Sequence, residues 1–368
     1  MRLPIKVASA LRARKLIEPG ARVLVALSGG PDSVALLLCL VELARKRDLR
    51  LTLVAAHLNH RLRGRSAERD QAFCRKLCAK LNVELCEARC QTLRLAQHLK
   101  RSKEETARLA RRAFLAHAAR VKDCRYVAVA HHADDRIETV LFRLCRGTGF
   151  SGLEGIGWTG PLTLAGVPAV DTWIEWLRKG KVVHEPLLPP GVASGEPEGV
   201  VRPLLGCTRA EVLDYLTLKR QRFCTDETNF DTRIPRNALR RLVLPALEKK
   251  VHPGVRSALW RLAEEAQVLA ERRAWRRGWL DGVAALESRG FLALPVPQSG
   301  GPPAQEELAD MVRLVRAVWR TQDSEVSSRH LHALRTLFGR SESNKRLSLS
   351  GGIVAERRKH EVWIRKGK

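Results

Sequence analysis

The sequence contains no apolar run of about 18 residues, so it does not predict a transmembrane helix. Residues 1–20 are basic but lack the continuous apolar core of a secretory signal peptide, and we therefore expect a cytoplasmic protein. None of the nine cysteines forms a Cys-x-x-Cys pair. The absence of this pair favours reduced thiols over a paired-cysteine redox or metal motif.

Acidic residues are also scarce relative to basic ones. The chain has 39 Asp and Glu against 66 Lys and Arg, which gives a formal net charge of +27. An excess this large favours a polyanionic partner, above all a nucleic acid. The length of 368 residues with 45% hydrophobic content predicts a globular chain of two or three domains. The sequence leaves the oligomeric state open, with a homodimer as one option.

The strongest functional signal lies in residues 23–38. The apolar run Val23–Leu27 predicts a buried parallel strand, and an amphipathic helix begins about Val34. The loop between them consists of Ser28, Gly29, Gly30, Pro31, Asp32 and Ser33. Glycines let the backbone approach a ligand closely, and the free amides of a helix N-terminus attract anions, so this loop predicts phosphate binding. A carboxylate in such a loop suits Mg²⁺ held beside a phosphate, which makes Asp32 the candidate ligand.

The phosphate loop is followed by neither of the two common nucleotide motifs. A Walker motif would require Gly-Lys-Ser/Thr after the loop, and a dinucleotide fingerprint would require a third glycine at the correct spacing. The alternative for a lone glycine pair is a plain loop with a polar helix cap. The position of Ser-Gly-Gly-x-Asp-Ser directly between a strand and a helix favours the functional interpretation.

Polar segments follow two further predicted strands. His57–Gly64 follows Leu51–Ala56, and His131–Thr139 follows Tyr126–Ala130. Ligands bind at the carboxyl ends of the strands in open α/β sheets, so both segments are expected at the binding edge. The second segment contains three carboxylates, those of Asp134, Asp135 and Glu138. Such a cluster requires a cation, either a metal ion or a substrate ammonium group. A structural zinc site is less favoured, because the two histidines are adjacent rather than one helical turn apart.

The rest of the chain predicts an insertion and a mainly helical region. Residues 160–200 are rich in Gly and Pro without clear periodicity, and we expect a long, partly mobile insertion. Basic residues between 233 and 282 are interleaved with Trp260, Trp275 and Trp279. This pattern suits RNA contact, although packing between helices is the simpler explanation for most of the tryptophans.

The last 70 residues predict two helices and three short strands. Helices are expected at Gln305–Thr321 and Ser327–Phe338. Strands are expected at Arg346–Leu349, Ile353–Arg357 and Val362–Arg365. We interpret Ser288–Gly301, which contains Gly and Pro, as a domain boundary.

Several motifs occur along the chain in a fixed order. They are Ser28–Ser33, His57–Gly64, Glu104-x-x-x-Arg108-x-x-Arg111, His131–Thr139, Arg146–Gly149, Arg202–Leu205, Asp226-x-x-Asn229 and Arg236-Asn-x-x-Arg240. Together they resemble the tRNA(Ile)-lysidine synthases, a family of the PP-loop ATP pyrophosphatase superfamily, over about residues 20–245. The resemblance implies an α/β fold with an open parallel sheet of the adenine-nucleotide α-hydrolase type. We expect a catalytic domain at residues 1–232, a helical tRNA-binding region at 233–288 and a small α+β domain at 289–368.

The resemblance implies an ATP-dependent ligase. Members of this family join L-lysine to C2 of the wobble cytidine of a CAU-anticodon tRNA(Ile). The reaction passes through an adenylated cytidine and releases pyrophosphate and AMP. The expected partners are therefore this tRNA and L-lysine, with ATP and Mg²⁺ as cofactors.

The resemblance also assigns roles to individual residues. ATP binding is expected from the Ser28–Ser33 loop together with His57 and Asn59. Lysine binding is expected from Asp134, Asp135 and Glu138. The catalytic candidates are Asp32, His131, His132 and Arg111. The tRNA-binding candidates are Arg61, Arg63, Arg108, Arg202, Arg236, Asn237 and Arg240.

Three alternative functions remain open at this point. A tRNA thiolase of the same superfamily would adenylate a base and deliver sulfur, but such enzymes usually need paired cysteines. A small-molecule amidotransferase or synthetase has less need of a net charge of +27. A non-enzymatic RNA-binding protein has no need of carboxylates clustered at the edge of a sheet.

Overall fold

The computed structural model shows two compact units, one of residues 1–147 and 155–260 and one of residues 148–154 and 261–368. It describes residues 2–46, 48–164, 167–168, 172–173, 175–176, 183–184, 199–225, 231–284, 286, 290–296, 302–319, 327–339, 345–349, 352–358 and 361–367. Within these residues, no helix combines the length and the apolar character needed to cross a membrane.

A seven-stranded sheet organises the first unit. Its strands are β1 (Arg22–Ala26), β2 (Thr52–Asn59), β3 (Glu84–Cys90), β4 (Tyr126–Ala128), β5 (Thr159–Gly160), β8 (Val183–His184) and β9 (Gly199–Val201), while β6 (Thr163–Leu164) and β7 (Val167–Pro168) form a separate antiparallel pair. The order across the sheet is β5-β9-β4-β1-β2-β3-β8. The five central strands are parallel, and β5 and β8 run antiparallel at the two edges. The predicted parallel α/β sheet is therefore confirmed.

Helices cover both faces of this sheet. They are α1 (Leu3–Ala13), α2 (Pro31–Ala44), α3 (Arg65–Leu81), α4 (Thr92–Leu99), α5 (Lys103–Val121), α6 (Ala133–Cys145), α7 (Arg209–Leu218), α8 (Pro235–Ala238) and α9 (Leu244–Lys250), with a π-helical turn at Leu239–Val243. Successive side chains of a strand point to opposite faces. Val23 and Val25 accordingly join one hydrophobic core, and Leu24 joins the other together with Phe114. Burial on both faces explains the continuous apolar sequence of β1.

The described part of the predicted insertion contributes to the core. Trp173 is fully buried, and its ring lies 5.4 Å from that of Phe114 and 6.3 Å from that of Trp176. A fully buried tryptophan contributes a large apolar contact area to the core. Most of residues 160–200, which were expected to form a partly mobile insertion, lie outside the described residues.

In its described residues, the second unit contains a four-stranded antiparallel sheet and three α-helices. Its elements are α10 (Val255–Ala284, which begins in the first unit), β10 (Phe291–Pro295), α11 (Gln305–Trp319), α12 (Ser328–Gly339), β11 (Arg346–Leu349), β12 (Ile353–Arg358) and β13 (Glu361–Lys366). The strand order is β10-β13-β12-β11. Trp275 and Trp279 are buried in the core of this unit, as the packing interpretation predicts. The interpretation of Ser288–Gly301 as a boundary was incomplete, because β10 lies within it.

Candidate active site

The phosphate loop is held by its own hydrogen bonds. The backbone N–H of Ser28 donates to Ser33 Oγ at 3.1 Å, and Ser33 Oγ donates to the carbonyl of Gly30 at 2.9 Å. The N–H of Gly30 donates to Ser28 Oγ at 3.3 Å. Gly29 adopts a left-handed conformation with φ +89°, which glycine adopts readily. Pro31 begins α2, so the first turn of this helix directs its amide groups at the mouth of the loop.

Residues from three other segments of the chain contact the phosphate loop. The N–H of Cys224 donates to the carbonyl of Gly29 at 2.9 Å. The sulfur atoms of Cys224 and Cys74 lie 3.3 and 3.4 Å from the position that a Cβ on Gly29 would occupy. The buried ring of His57 donates from Nδ1 to the carbonyl of Leu27 at 2.8 Å. These contacts hold the loop in one conformation before any ligand binds.

Asp32 lies where the phosphate loop meets the carboxyl end of β4. Its Oδ1 lies 3.6 Å from Nε2 of His132, and its Oδ2 lies 3.8 Å from Nη1 of Arg209. Burial raises the pKa of Asp32, although His132 and Arg209 act in the opposite direction. The buried Oδ1 has no hydrogen-bond partner in the described part of the chain. This oxygen of Asp32 is therefore available to a cation.

The Asp32 oxygen that receives no hydrogen bond from the described residues fits a magnesium ion that is shared with a nucleotide. Mg²⁺ is commonly held by one or two carboxylates together with substrate phosphates, rather than by a cage made only of protein groups. Among the described residues, no three His, Cys, Asp or Glu side chains form a set that could hold a metal ion by themselves. The structural zinc alternative therefore finds no ligand set in that part of the chain.

His132 links the phosphate loop to helix α6. It caps the N-terminus of α6, because its Nδ1 accepts from the N–H of Asp135 at 3.3 Å. In return, Oδ2 of Asp135 accepts from the N–H of His132 at 3.0 Å. A neutral imidazole that accepts at Nδ1 carries its hydrogen at Nε2, the atom that faces Asp32.

Two carboxylates of α6 form a compact group with two arginines from the segment Pro235–Val243. We call Asp135, Glu138, Arg236 and Arg240 the carboxylate–arginine cluster. Arg240 contacts the two oxygens of Glu138 at 2.5 and 3.0 Å, and Arg236 contacts Oε2 of Glu138 at 3.1 Å. Both arginines also reach Oδ1 of Asp135, at 3.2 Å from Arg236 and 3.4 Å from Arg240. The side chain of Glu138 is completely buried, with 0% exposed.

The cluster is consistent with four charged groups. Burial opposes the charged form of Asp135, but His132, Arg236 and His131 outweigh it and lower the pKa of this carboxyl. Burial likewise opposes the charged form of Arg240, but Glu138 and Asp135 raise its pKa. Two carboxylates and two guanidiniums thus balance one another within the protein.

The third carboxylate, that of Asp134, is paired with different groups. Its Oδ1 lies 2.9 Å from Nη1 of Arg256, and its Oδ2 accepts from the backbone N–H of Arg209 at 2.8 Å. Sequence reasoning missed Arg209 and Arg256. No motif marks them, because each reaches α6 from a distant part of the chain.

Basic side chains also lie near His131, beginning with Arg202. Arg202 donates from Nε to Nδ1 of His131 at 3.3 Å and from Nη1 to the carbonyls of Gly157 and Thr159 at 2.8 Å each. Burial lowers the pKa of Arg202 to about 10, and the charges of Arg112 and Arg108 add to the effect. Burial also lowers the pKa of His131 to about 4, so this ring is neutral near pH 7.

Arg111 belongs to the same positively charged region of α5. The side chain of Arg111 is exposed, and the like charge of Arg108 disfavours its charged form. The charge of Arg111 in turn helps burial to lower the pKa of His60 to about 3. A group of like positive charges favours the binding of an anion.

Several side chains predicted to contact ligands form hydrogen bonds or ion pairs within the protein. Asn59 is buried, donates to Oε1 of Gln71 at 3.0 Å and accepts from the N–H of Arg61 at 2.9 Å. Arg63 lies 2.7 Å from Asp70, and Asn237 donates to the carbonyl of Asp231 at 2.9 Å. ATP contacts by His57 and Asn59, and tRNA contacts by these other side chains, stay predictions. Asp226 and Asn229, part of the motif series, lie outside the described residues.

Comparison of the sequence with known proteins gives a family and a set of relatives. A model of the PP-loop domain family matches residues 5–247. The tRNA(Ile)-lysidine synthase of Porphyromonas gingivalis is 37% identical over 285 residues, which cover 77% of this chain and 50% of the relative. That of Chlorobaculum tepidum is 34% identical over 71% of this chain and 67% of the relative. The chain spans about half the length of the first two such relatives.

One solved structure supports the fold. The U34-tRNA thiolase NcsA from Methanococcus maripaludis has a TM-score of 0.50 and 18% identity, covering 72% of this chain and 77% of that chain. At this level of identity the likeness concerns the fold alone.

Proposed function

The chain belongs to the PP-loop domain family, and on that premise we propose that it is an ATP-dependent ligase that forms lysidine in a tRNA. The substrates are ATP, L-lysine and the wobble cytidine of a CAU-anticodon tRNA(Ile). One observation carries the proposal: Asp32 of the phosphate loop approaches His132 to 3.6 Å. This approach joins a phosphate-binding element to a helix that begins with three carboxylates.

In the first step, the C2 oxygen of the cytosine attacks the α-phosphorus of ATP and pyrophosphate leaves. The amides of the Ser28–Ser33 loop bind the departing phosphates. Asp32 is the residue that would hold Mg²⁺, which neutralises phosphate charge when bound. Arg111 and Arg108 supply positive charge near the adenylated base.

In the second step, the ε-amine of lysine attacks C2 of the adenylated cytidine and AMP leaves. The ammonium group must first lose a proton, and the nearby candidates are carboxylates and the two histidines that follow β4. Nδ1 of His131 already accepts from Arg202, and Nδ1 of His132 accepts from Asp135. Because both Nδ1 atoms are occupied by these hydrogen bonds, we assign proton acceptance to a carboxylate. The two histidines then act as hydrogen-bond donors.

A turnover assay tests this proposal. Purified protein is incubated with Mg²⁺, ATP, radiolabelled L-lysine and an unmodified CAU-anticodon tRNA(Ile) transcript. We expect label to enter the tRNA only with ATP present, and we expect Asp32→Asn to lose at least about 100-fold in rate. The matched control is Asp48→Asn, which removes an exposed carboxylate paired with Arg12. An Asp32→Asn variant that is folded and fully active would contradict the proposed role of the loop.

A second candidate function rests on the thiols of Cys74 and Cys224 behind Gly29. Adenylation of a base followed by sulfur delivery would use the same phosphate loop. Burial raises the pKa of Cys224 to about 12, which disfavours a reactive thiolate. In the assay, tRNA-dependent pyrophosphate release without lysine incorporation would favour this second function.

A further inference from the structure

The two carboxylates proposed for lysine are already neutralised by arginines of the same chain. Glu138 contacts Arg236 and Arg240, and both arginines also contact Asp135. An incoming ammonium group needs the same oxygens. We infer that Arg236 and Arg240 block the lysine site, and we call these two arginines the lock. RNA opens the site when its phosphates bind the two guanidiniums in place of the carboxylates. This inference rests on the proposed function and adds its regulation.

The lock follows from the spacing of the residues on two helical segments. Asp135 and Glu138 are three residues apart on α6, and Arg236 and Arg240 are four residues apart on the facing segment. Residues at either spacing lie on one face of a helix, so two charged pairs meet at once. Arg240 lies in the π-helical turn Leu239–Val243. Such turns are frequent at functional sites.

The buried negative charge of Glu138 requires that the arginines be replaced by another cation rather than simply removed. A completely buried carboxylate that lost both partners would carry a large desolvation cost. Glu138 can therefore release the guanidiniums only when another cation takes their place, and the lysine ammonium is such a cation. The arginines also need a new anion, and an RNA phosphodiester accepts a guanidinium through two parallel hydrogen bonds.

The two arginines differ in how readily they can leave. The side chain of Arg236 is 48% exposed and that of Arg240 is 24% exposed. Both reach solvent, so a phosphate can approach them while they still contact the carboxylates. We expect Arg236 to transfer first, because it is more exposed and makes the longer contact to Glu138.

The lock predicts thermodynamic coupling between lysine and tRNA. If tRNA removes a competitor from the lysine site, tRNA must tighten lysine binding, and lysine must tighten tRNA binding by the same factor. Couplings of this kind typically amount to about 5- to 150-fold. Free lysine would then be held firmly only on a protein that already carries its tRNA.

Equilibrium dialysis of radiolabelled L-lysine against the full chain, without ATP, tests the lock. Binding is measured with and without the CAU-anticodon transcript for the wild type, Arg236→Gln and Arg240→Gln. The matched control is Arg233→Gln, because Arg233 precedes the same helical segment, is 91% exposed and pairs with Asp231 instead. Circular dichroism establishes that each variant is folded, and Arg236→Gln decides the question if Arg240→Gln does not fold.

We expect tRNA to tighten lysine binding to the wild type and to Arg233→Gln by at least about fivefold. Arg236→Gln and Arg240→Gln should bind lysine about fivefold more tightly than the wild type without tRNA and should lose most of the response to tRNA. Each should also lower the slope of log affinity for tRNA against log salt by about 1.

Two results overturn the lock. One is wild-type lysine binding that does not change with tRNA, and the other is weaker lysine binding by both variants without tRNA. If the wild type still incorporates lysine in the turnover assay, either result rejects the lock and leaves the proposed function standing. If the wild type neither binds nor incorporates lysine, the proposed function itself fails.

Discussion

Replacing Gly29 with alanine tests whether the phosphate loop requires a conformation that only glycine adopts easily. Gly29 has φ +89°, where an L-residue costs about 1–2 kcal/mol. A Cβ at this position would lie 3.3 Å from the sulfur of Cys224 and 3.4 Å from that of Cys74. The thiol of Cys224 would have to move by a few tenths of an ångström, whereas that of Cys74 lies at the limit of ordinary contact. We expect Gly29→Ala to lower the free energy of unfolding by about 2–3 kcal/mol.

Gly30 supplies a matched control one residue further along the loop. It has φ −70°, and a Cβ there would meet Ser28 Oγ at an ordinary 3.5 Å. Gly30→Ala should therefore change the free energy of unfolding by less than about 0.5 kcal/mol. Urea denaturation of the full chain, followed by circular dichroism, measures both variants. Equal stability of the two would refute the argument from conformation and crowding.

The double variant Gly29→Ala/Cys224→Ala separates strain from crowding. Removing the sulfur of Cys224 relieves one close contact but leaves the backbone of residue 29 left-handed. In a double-mutant cycle we expect a favourable coupling of about 0.5–1 kcal/mol between the two changes. Complete recovery of stability would show that backbone strain contributes nothing.

Three further predictions concern other parts of the first unit. Trp173→Ala should cost about 3–5 kcal/mol in urea denaturation, since Trp173 is fully buried, and a cost below about 1 kcal/mol would contradict its contribution to the core. Glu138→Gln should cost about 2–4 kcal/mol, less than a fully buried pair because both arginine partners are partly exposed, and unchanged stability would reject the ion pairs. Burial lowers the pKa of His60 to about 3, so the folded state keeps the ring neutral where the unfolded chain is protonated. Stability should therefore fall as pH drops below about 6.5, and His60→Gln should lose about 1–2 kcal/mol less than the wild type between about pH 7 and pH 5. Identical pH profiles would contradict this last prediction.

The fold was largely predictable because its signals are local. The apolar runs at β1, β2 and β4 identified a parallel sheet, and the motif series identified the family, both of which are confirmed. The spacing of short apolar segments also predicted β11, β12 and β13. Strand β10 was missed because nearby Gly and Pro residues indicated a boundary.

The contacts within the site were harder to predict because they join distant residues. Glu138 and Arg240 are 102 residues apart in the chain, and Asp134 and Arg256 are 122 apart. Neither pair belongs to a periodic pattern. The sequence therefore identified the charged residues at the sheet edge but did not show that the carboxylates and arginines neutralise one another. The roles of individual residues toward ATP, lysine and tRNA stay predictions.

The two short antiparallel strands at the sheet edges bear on aggregation. A row of unpaired backbone groups at the edge of a sheet can recruit a strand from another molecule. Here β5 covers one side of β9 and β8 covers one side of β3, with two paired residues of each edge strand among those that the structure describes. Both protecting strands lie at or within the insertion. The two edge strands therefore cover the flanks of the parallel strands and limit their pairing with a strand of another copy of the chain.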